Sequence, residues 1–95
     1  MSNQIEGHVA SIGDNGDLIT DIRVDQLADV PRDDSVRITF GGHETLGIYP
    51  DDHDQPPATM VANLGKRGFL EIEIVGISLS EMLGIKTNTP VVINW

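Results

Sequence analysis

The sequence predicts an all-β domain of about seven strands with one short helix, a small closed β-barrel or sandwich of which the barrel is favoured. Three observations carry this expectation. Apolar and polar residues alternate with a period of two along most of the chain, which is the period at which strand side chains change faces. The alternating runs are short and are separated by clusters of Gly, Asn, Asp and Pro. Ninety-five residues suffice for one domain, 1–95, with a modest core, and closing the sheet removes edges that would otherwise lie exposed.

The elements follow in order. Ile5 to Ile12 is the first strand, and Asp14-Asn15-Gly16 is hairpin chemistry, because Asn and Gly tolerate the positive φ of a tight turn. In the second strand Leu18, Thr20, Ile22 and Val24 share one face, opposite Asp21 and Arg23. Val24 to Asp34 reads as a longer crossover with one helical turn before Pro31. Val36, Ile38 and Phe40 alternate with Arg37 and Thr39, and Gly41-Gly42 makes a second turn. Leu46 to Tyr49 is expected as the next strand. The run Pro50-Asp51-Asp52-His53-Asp54-Gln55-Pro56-Pro57 is too polar and proline-rich for a strand and reads as a solvated surface loop.

Thr59 to Asn63 forms another strand. Phe69 to Val75 is the cleanest case, with Leu70, Ile72 and Ile74 facing the core and Glu71 and Glu73 facing solvent. Ser78-Leu79-Ser80-Glu81 has capping-box spacing, so a short helix is expected over Ser78–Leu83, stopped by Gly84. Val91 to Trp95 completes the set, and Trp95 suits a barrel plug or an interface.

Composition excludes several function classes. Fifteen acidic residues against six basic ones give a formal charge of −9, which would repel a phosphate backbone, so neither nucleic acid nor an anionic membrane is an expected partner. Without cysteine there is no disulfide, thiolate metal site or cysteine nucleophile. Met1-Ser2-Asn3-Gln4 lacks the basic and apolar regions of a signal peptide, no apolar run reaches membrane-span length, and a soluble cytoplasmic protein is expected. Met1 and the short polar lead suggest a complete gene product.

Few residues could carry chemistry. His8, His43 and His53 are scattered, and Ser11, Ser78 and Ser80 have neither an elbow turn nor a neighbouring His pattern, so no nucleophile–base pair is expected. Asp51, Asp52, His53 and Asp54 lack the spacing and glycine of a calcium loop. No metal or catalytic residue is predicted. Lys66-Arg67 is the one adjacent basic pair in an acidic chain. It forms either a solvated hairpin tip or an anchor for a carboxylate, which Arg67 would hold in a bidentate pair.

Two stretches carry a family resemblance that spans about Glu6 to the end. Ile12-Gly13-Asp14-Asn15-Gly16-Asp17-Leu18-Ile19-Thr20-Asp21-Ile22 resembles the "I-D-x-F-G-N-L-I-T-N-I" motif of S-adenosylmethionine hydroxide adenosyltransferases, the family that includes fluorinases and chlorinases. Gly65-Lys66-Arg67-Gly68-Phe69-Leu70-Glu71-Ile72, followed by Ser78 to Ile85, resembles "N-S-x-G-x-L-E-I-A…G-S-A-x-x-L-G-L". Both motifs belong to the C-terminal domain of that family, a small Greek-key β-barrel, and the resemblance thus implies Greek-key-like connectivity here. The larger N-terminal domain, which carries the catalytic aspartate, has no counterpart in this sequence.

The resemblance implies nucleoside contact at the first hairpin and contact with the amino-acid end of S-adenosylmethionine at the second loop. Residue by residue, Asn15 stands at the aromatic position, Asp17 at the Asn, Lys66 at the Ser and Arg67 at the variable position beside it. Asp17 can accept a hydrogen bond from an adenine amino group but, ionised, donates none. The Asn15-Gly16-Asp17 run also reads simply as a turn. The implied function is a nucleoside- or S-adenosylmethionine-binding barrel without catalysis of its own, completed by an N-terminal-like partner or by other copies of itself. The alternative is a structural or protein-interaction domain that has lost its ligand. A third reading, a small independent enzyme, would require a nucleophile–base pair. No cofactor is predicted beyond S-adenosylmethionine or adenosine as ligand.

Overall fold

The computed structural model describes residues 3–95. Eight strands form one sheet: β1 (Gln4–Ile12), β2 (Leu18–Arg23), β3 (Arg37–Phe40), β4 (His43–Leu46), β5 (Tyr49–Pro50), β6 (Met60–Leu64), β7 (Phe69–Ile74) and β8 (Pro90–Asn94). Their order is β4-β3-β8-β1-β2-β7-β6-β5, antiparallel throughout except for β5 against β6. The sheet curls into a half-barrel. Its rims meet where Thr45 Oγ1 of β4 donates to the Met60 carbonyl of β6 at 3.3 Å.

The longest strand makes the curl. The first half of β1 pairs with β8, from Gln4↔Asn94 to His8↔Pro90. Its second half pairs with β2, and the register slips between Val9 and Ser11. A bulge here bends the strand so that one element serves two halves of the barrel. Gly7 lies at the close approach, since a Cβ there would collide with Asp21 and Ile22.

The core follows from the alternation. Leu70 and Ile72 are fully buried and Ile74 nearly so, and they pack with Val9, Leu18, Ile22, Ile38, Phe40 and Ile93. Thr20 is buried on the same face. Its hydroxyl donates to the Leu70 carbonyl at 2.7 Å, which satisfies a polar group in an apolar setting. A single 3-10 turn over Val24–Leu27 occupies the crossover, as expected, and buries Leu27. The helix α1 (Leu79–Leu83) is also where the sequence placed it. Ser78 Oγ accepts from the Glu81 amide at 3.3 Å, and Gly84 takes the left-handed stop at φ 68°.

Three expectations need correction. The strand expected over Leu46 to Tyr49 is two elements: β4 starts at His43, ends at Leu46 and is broken by Gly47 at φ 84°. There the Gly47 and Ile48 amides turn to the Val36 and Arg32 carbonyls. Pro50 joins β5 because a strand paired on one side only does not need its missing amide. The loop after it is not wholly solvated, because the His53 side chain is only 7% exposed. Lastly, Glu71 and Glu73 point away from the core but are half-buried beneath neighbouring loops.

Candidate functional site

The site is built where two turns meet over β7. In the first, the Gly13 amide donates to the Asp17 carbonyl and the Gly16 amide to the Gly13 carbonyl, both at 2.9 Å. Gly16 is at φ 83°, and a Cβ on it would overlap Ser78. Its carbonyl accepts from the Ser80 amide at 3.0 Å. The hairpin is therefore docked on the first turn of α1, which fixes Asn15 and Asp17 at its tip. Only Gly allows both the backbone angle and the contact.

The second turn is closed by the Gly65 amide to the Phe69 carbonyl and the Gly68 amide to the Gly65 carbonyl, leaving Lys66 and Arg67 exposed at its tip. Gly65 is buried with the Glu71 carboxylate lying against it, in the space a Cβ would fill. The structure thus brings all four sequence-predicted site residues, Asn15, Asp17, Lys66 and Arg67, to one cleft of about 300 Å³. Ile19, Asp51 and Glu71 line it too. Asn15 and Asp17 also wall a second cleft of about 360 Å³, whose other side is formed by Glu73, Ile74, Ile77 and Ser78.

Acidic groups crowd both clefts. Burial, with the Glu73 charge adding to it, raises the Asp17 carboxyl from its ordinary value. Glu71 is raised mainly by burial; Arg67 pulls it back, and Asp17, Asp51 and Glu73 push it further up. Lys66 Nζ lies 3.6 Å from Asp51 Oδ2, although Lys66 is itself 86% exposed. Glu73 is held by Asn63 Nδ2 at 2.8 Å and faces His53 Nε2 at 3.4 Å. The Gln55 amide donates to His53 Nδ1 at 3.2 Å, which leaves the ring proton on Nε2, toward Glu73.

Sequence reasoning missed Asn63, Glu73, His53 and Asp51. Asn63 had a usable signal, an amide side chain within an otherwise apolar strand. His53 had none, because a histidine within an acidic run looks solvated. Among the described residues no group of three or more His, Asp or Glu side chains is placed to hold a metal ion. No described helix is long and apolar enough to cross a membrane.

Residues 7–92 match the family model described as the SAM hydroxide adenosyltransferase C-terminal domain. The chain belongs to that family. This C-terminal-domain member has the same fold as an uncharacterized conserved protein from Thermotoga maritima, at TM-score 0.75 and 24% identity over 95% of this chain and 35% of that one. A conserved hypothetical protein from Thermus thermophilus matches at TM-score 0.68 and 27% identity, over 90% of this chain and 31% of that one. The chain therefore spans about a third of the solved structures it matches. No curated protein matches it.

Proposed function

We propose that this domain supplies the ligand-binding side of a composite nucleoside site and performs no chemistry alone. One observation carries the reading: the Asn15-Gly16-Asp17 turn and the Lys66-Arg67 loop, about 50 residues apart in sequence, line a single cleft. The family's motifs assign these two positions to opposite ends of S-adenosylmethionine. Asp17 would accept from the adenine amino group, and Arg67 would hold the carboxylate of the amino-acid end. No nucleophile–base pair is found among the residues lining the cleft, so catalytic groups would come from an N-terminal-like partner or from another copy.

A calorimetric or thermal-shift titration with S-adenosylmethionine, adenosine and methionine tests the proposal, since a ligand of the folded state raises apparent stability. Saturable binding of S-adenosylmethionine or adenosine is the expected result. Asn15 favours a second reading, because it stands where the family motif has an aromatic ring and so forgoes a stacking contact worth roughly 1–3 kcal/mol. If no ligand binds at millimolar concentration, a structural or interaction domain is the better description.

A further inference from the structure

The cleft sets its cations among its own carboxylates. Lys66 faces Asp51 at 3.6 Å, and Arg67 and Glu71 line the same cleft. Asp14 and Asp17 complete the lining, so four acidic groups surround two basic ones. Asp51 lies on the loop that His53 pins to β7 through Glu73, two residues further along. Glu71 is fixed from below by its contact with Gly65. An isolated exposed ion pair is weak, but a concave lining of one sign focuses its field into the space between. Counted formally, the balance of charge along this cleft is negative despite the Lys66-Arg67 pair.

From this we infer that Asp51 and Glu71 are specificity-determining residues that exclude phosphorylated ligands from the cleft. The cleft takes uncharged nucleosides or ligands whose carboxylate is accompanied by a positive charge, and it rejects nucleoside phosphates. The inference rests on the reading of this cleft as the ligand side of the domain. It goes beyond that reading because the adjacent Lys and Arg, taken alone, would favour phosphate. A ligand carboxylate brings one negative charge, offset by the positive charge beside it, whereas a dianionic phosphate brings two against the same four acidic groups.

Two experiments test it. In the first, adenosine and adenosine 5′-monophosphate are titrated by calorimetry into the wild type and Asp51→Asn. Adenosine should bind about tenfold or more tightly than the monophosphate in the wild type. The variant should narrow that gap about fivefold through tighter binding of the monophosphate, the scale of one charge removed at close range. Equal or tighter binding of the monophosphate by the wild type would overturn the inference, as would an unchanged ratio in the variant.

The second experiment needs no nucleoside. Inorganic phosphate is titrated while the Lys66 and Arg67 amides are followed by NMR, in the wild type and in the double variant Asp51→Asn, Glu71→Gln. The wild type should show no saturable shift and the double variant should gain one. A phosphate site in the wild type, or none in the double variant, sinks the idea. If phosphate behaves as expected while neither nucleoside ligand binds, the proposed function fails and the anion exclusion stands.

Discussion

The imidazole of His53 and the carboxylate of Glu73 face each other at 3.4 Å across 20 residues of sequence, the first 7% and the second 25% exposed. This pair fastens the acidic loop to β7, and Asn63 supplies the shorter bond to the same carboxylate oxygen. A half-buried carboxylate with two donors is stable where a bare one is not.

Removing a donor should therefore cost more than the bond itself. Asn63→Ala leaves the Glu73 carboxylate short of a partner and should destabilise the domain by about 1–3 kcal/mol in urea denaturation. Combined with Glu73→Ala in a double-mutant cycle, it should show a coupling of about 0.5–3 kcal/mol, as expected of groups in one network. Strict additivity would mean that the bond contributes nothing to stability.

Stability should rise on mild acidification. Asp17 and Glu71 have folded-state pKa values above their unfolded ones, so the folded state takes up protons first. Their contribution is fully present below the unfolded values and is lost as pH rises through the raised folded ones. The Tm should increase as pH falls from neutral toward those values, and Asp17→Asn should raise the Tm at neutral pH while flattening its pH dependence. Asp33 has the opposite sign, held low by the Ser35 hydroxyl and amide. It favours the folded state above its unfolded value and loses that contribution as pH falls through its lowered folded value. The acid side of the stability maximum should accordingly steepen at lower pH.

Gly16 and Gly42 share a φ of 83° but not an environment. Ala at either position meets the left-handed penalty of about 1–2 kcal/mol. Gly42 has open space around it, whereas Gly16 abuts Ser78. Gly16→Ala should be more destabilising than Gly42→Ala by about 1–3 kcal/mol, the cost of overpacking. Thermal denaturation of the two variants side by side reads the difference, and equal losses would show that the hairpin–helix contact yields without cost.

Arg67→Ala should weaken a carboxylate-bearing ligand of the cleft by about 1.5–3 kcal/mol, the scale of a hydrogen bond to a charged group. Adenosine, which has no carboxylate, should lose far less. Calorimetry on S-adenosylmethionine and adenosine with the same variant compares them, and equal losses would place Arg67 at the nucleoside end instead.

What was legible in the sequence is what alternation and turn chemistry encode. Leu70, Ile72 and Ile74 declared their face, and Ser78, Glu81 and Gly84 marked the helix. Asn15-Gly16 and Lys66-Arg67 were recognisable as turns, yet nothing local says that two turns so far apart in the chain will share a cleft. That depends on β2 pairing with β7, from Leu18↔Ile72 to Arg23↔Phe69. The burial of Glu73 was hidden for the same reason, since its partners come from β6 and from the loop after β5. The break at Gly47 was readable in principle, but only if the glycine was weighed against the apolar residues around it.

Asn3 and Trp95 exchange both of their backbone hydrogen bonds, at 2.8 and 3.1 Å, and from there β1 zips along β8. A contact of this span forms only after nearly the whole domain has left the ribosome. Long-range pairings of this kind set the pace of folding, because the loop must close before its bonds repay the lost entropy. β3 and β4 can form a local hairpin early, but they have no sheet to join until β8 arrives between β3 and β1. Synthesis of this domain therefore ends with its decisive step, and a ribosome stalled within the last strand would hold a chain with β1 and β3 both unpaired along the edges that β8 covers.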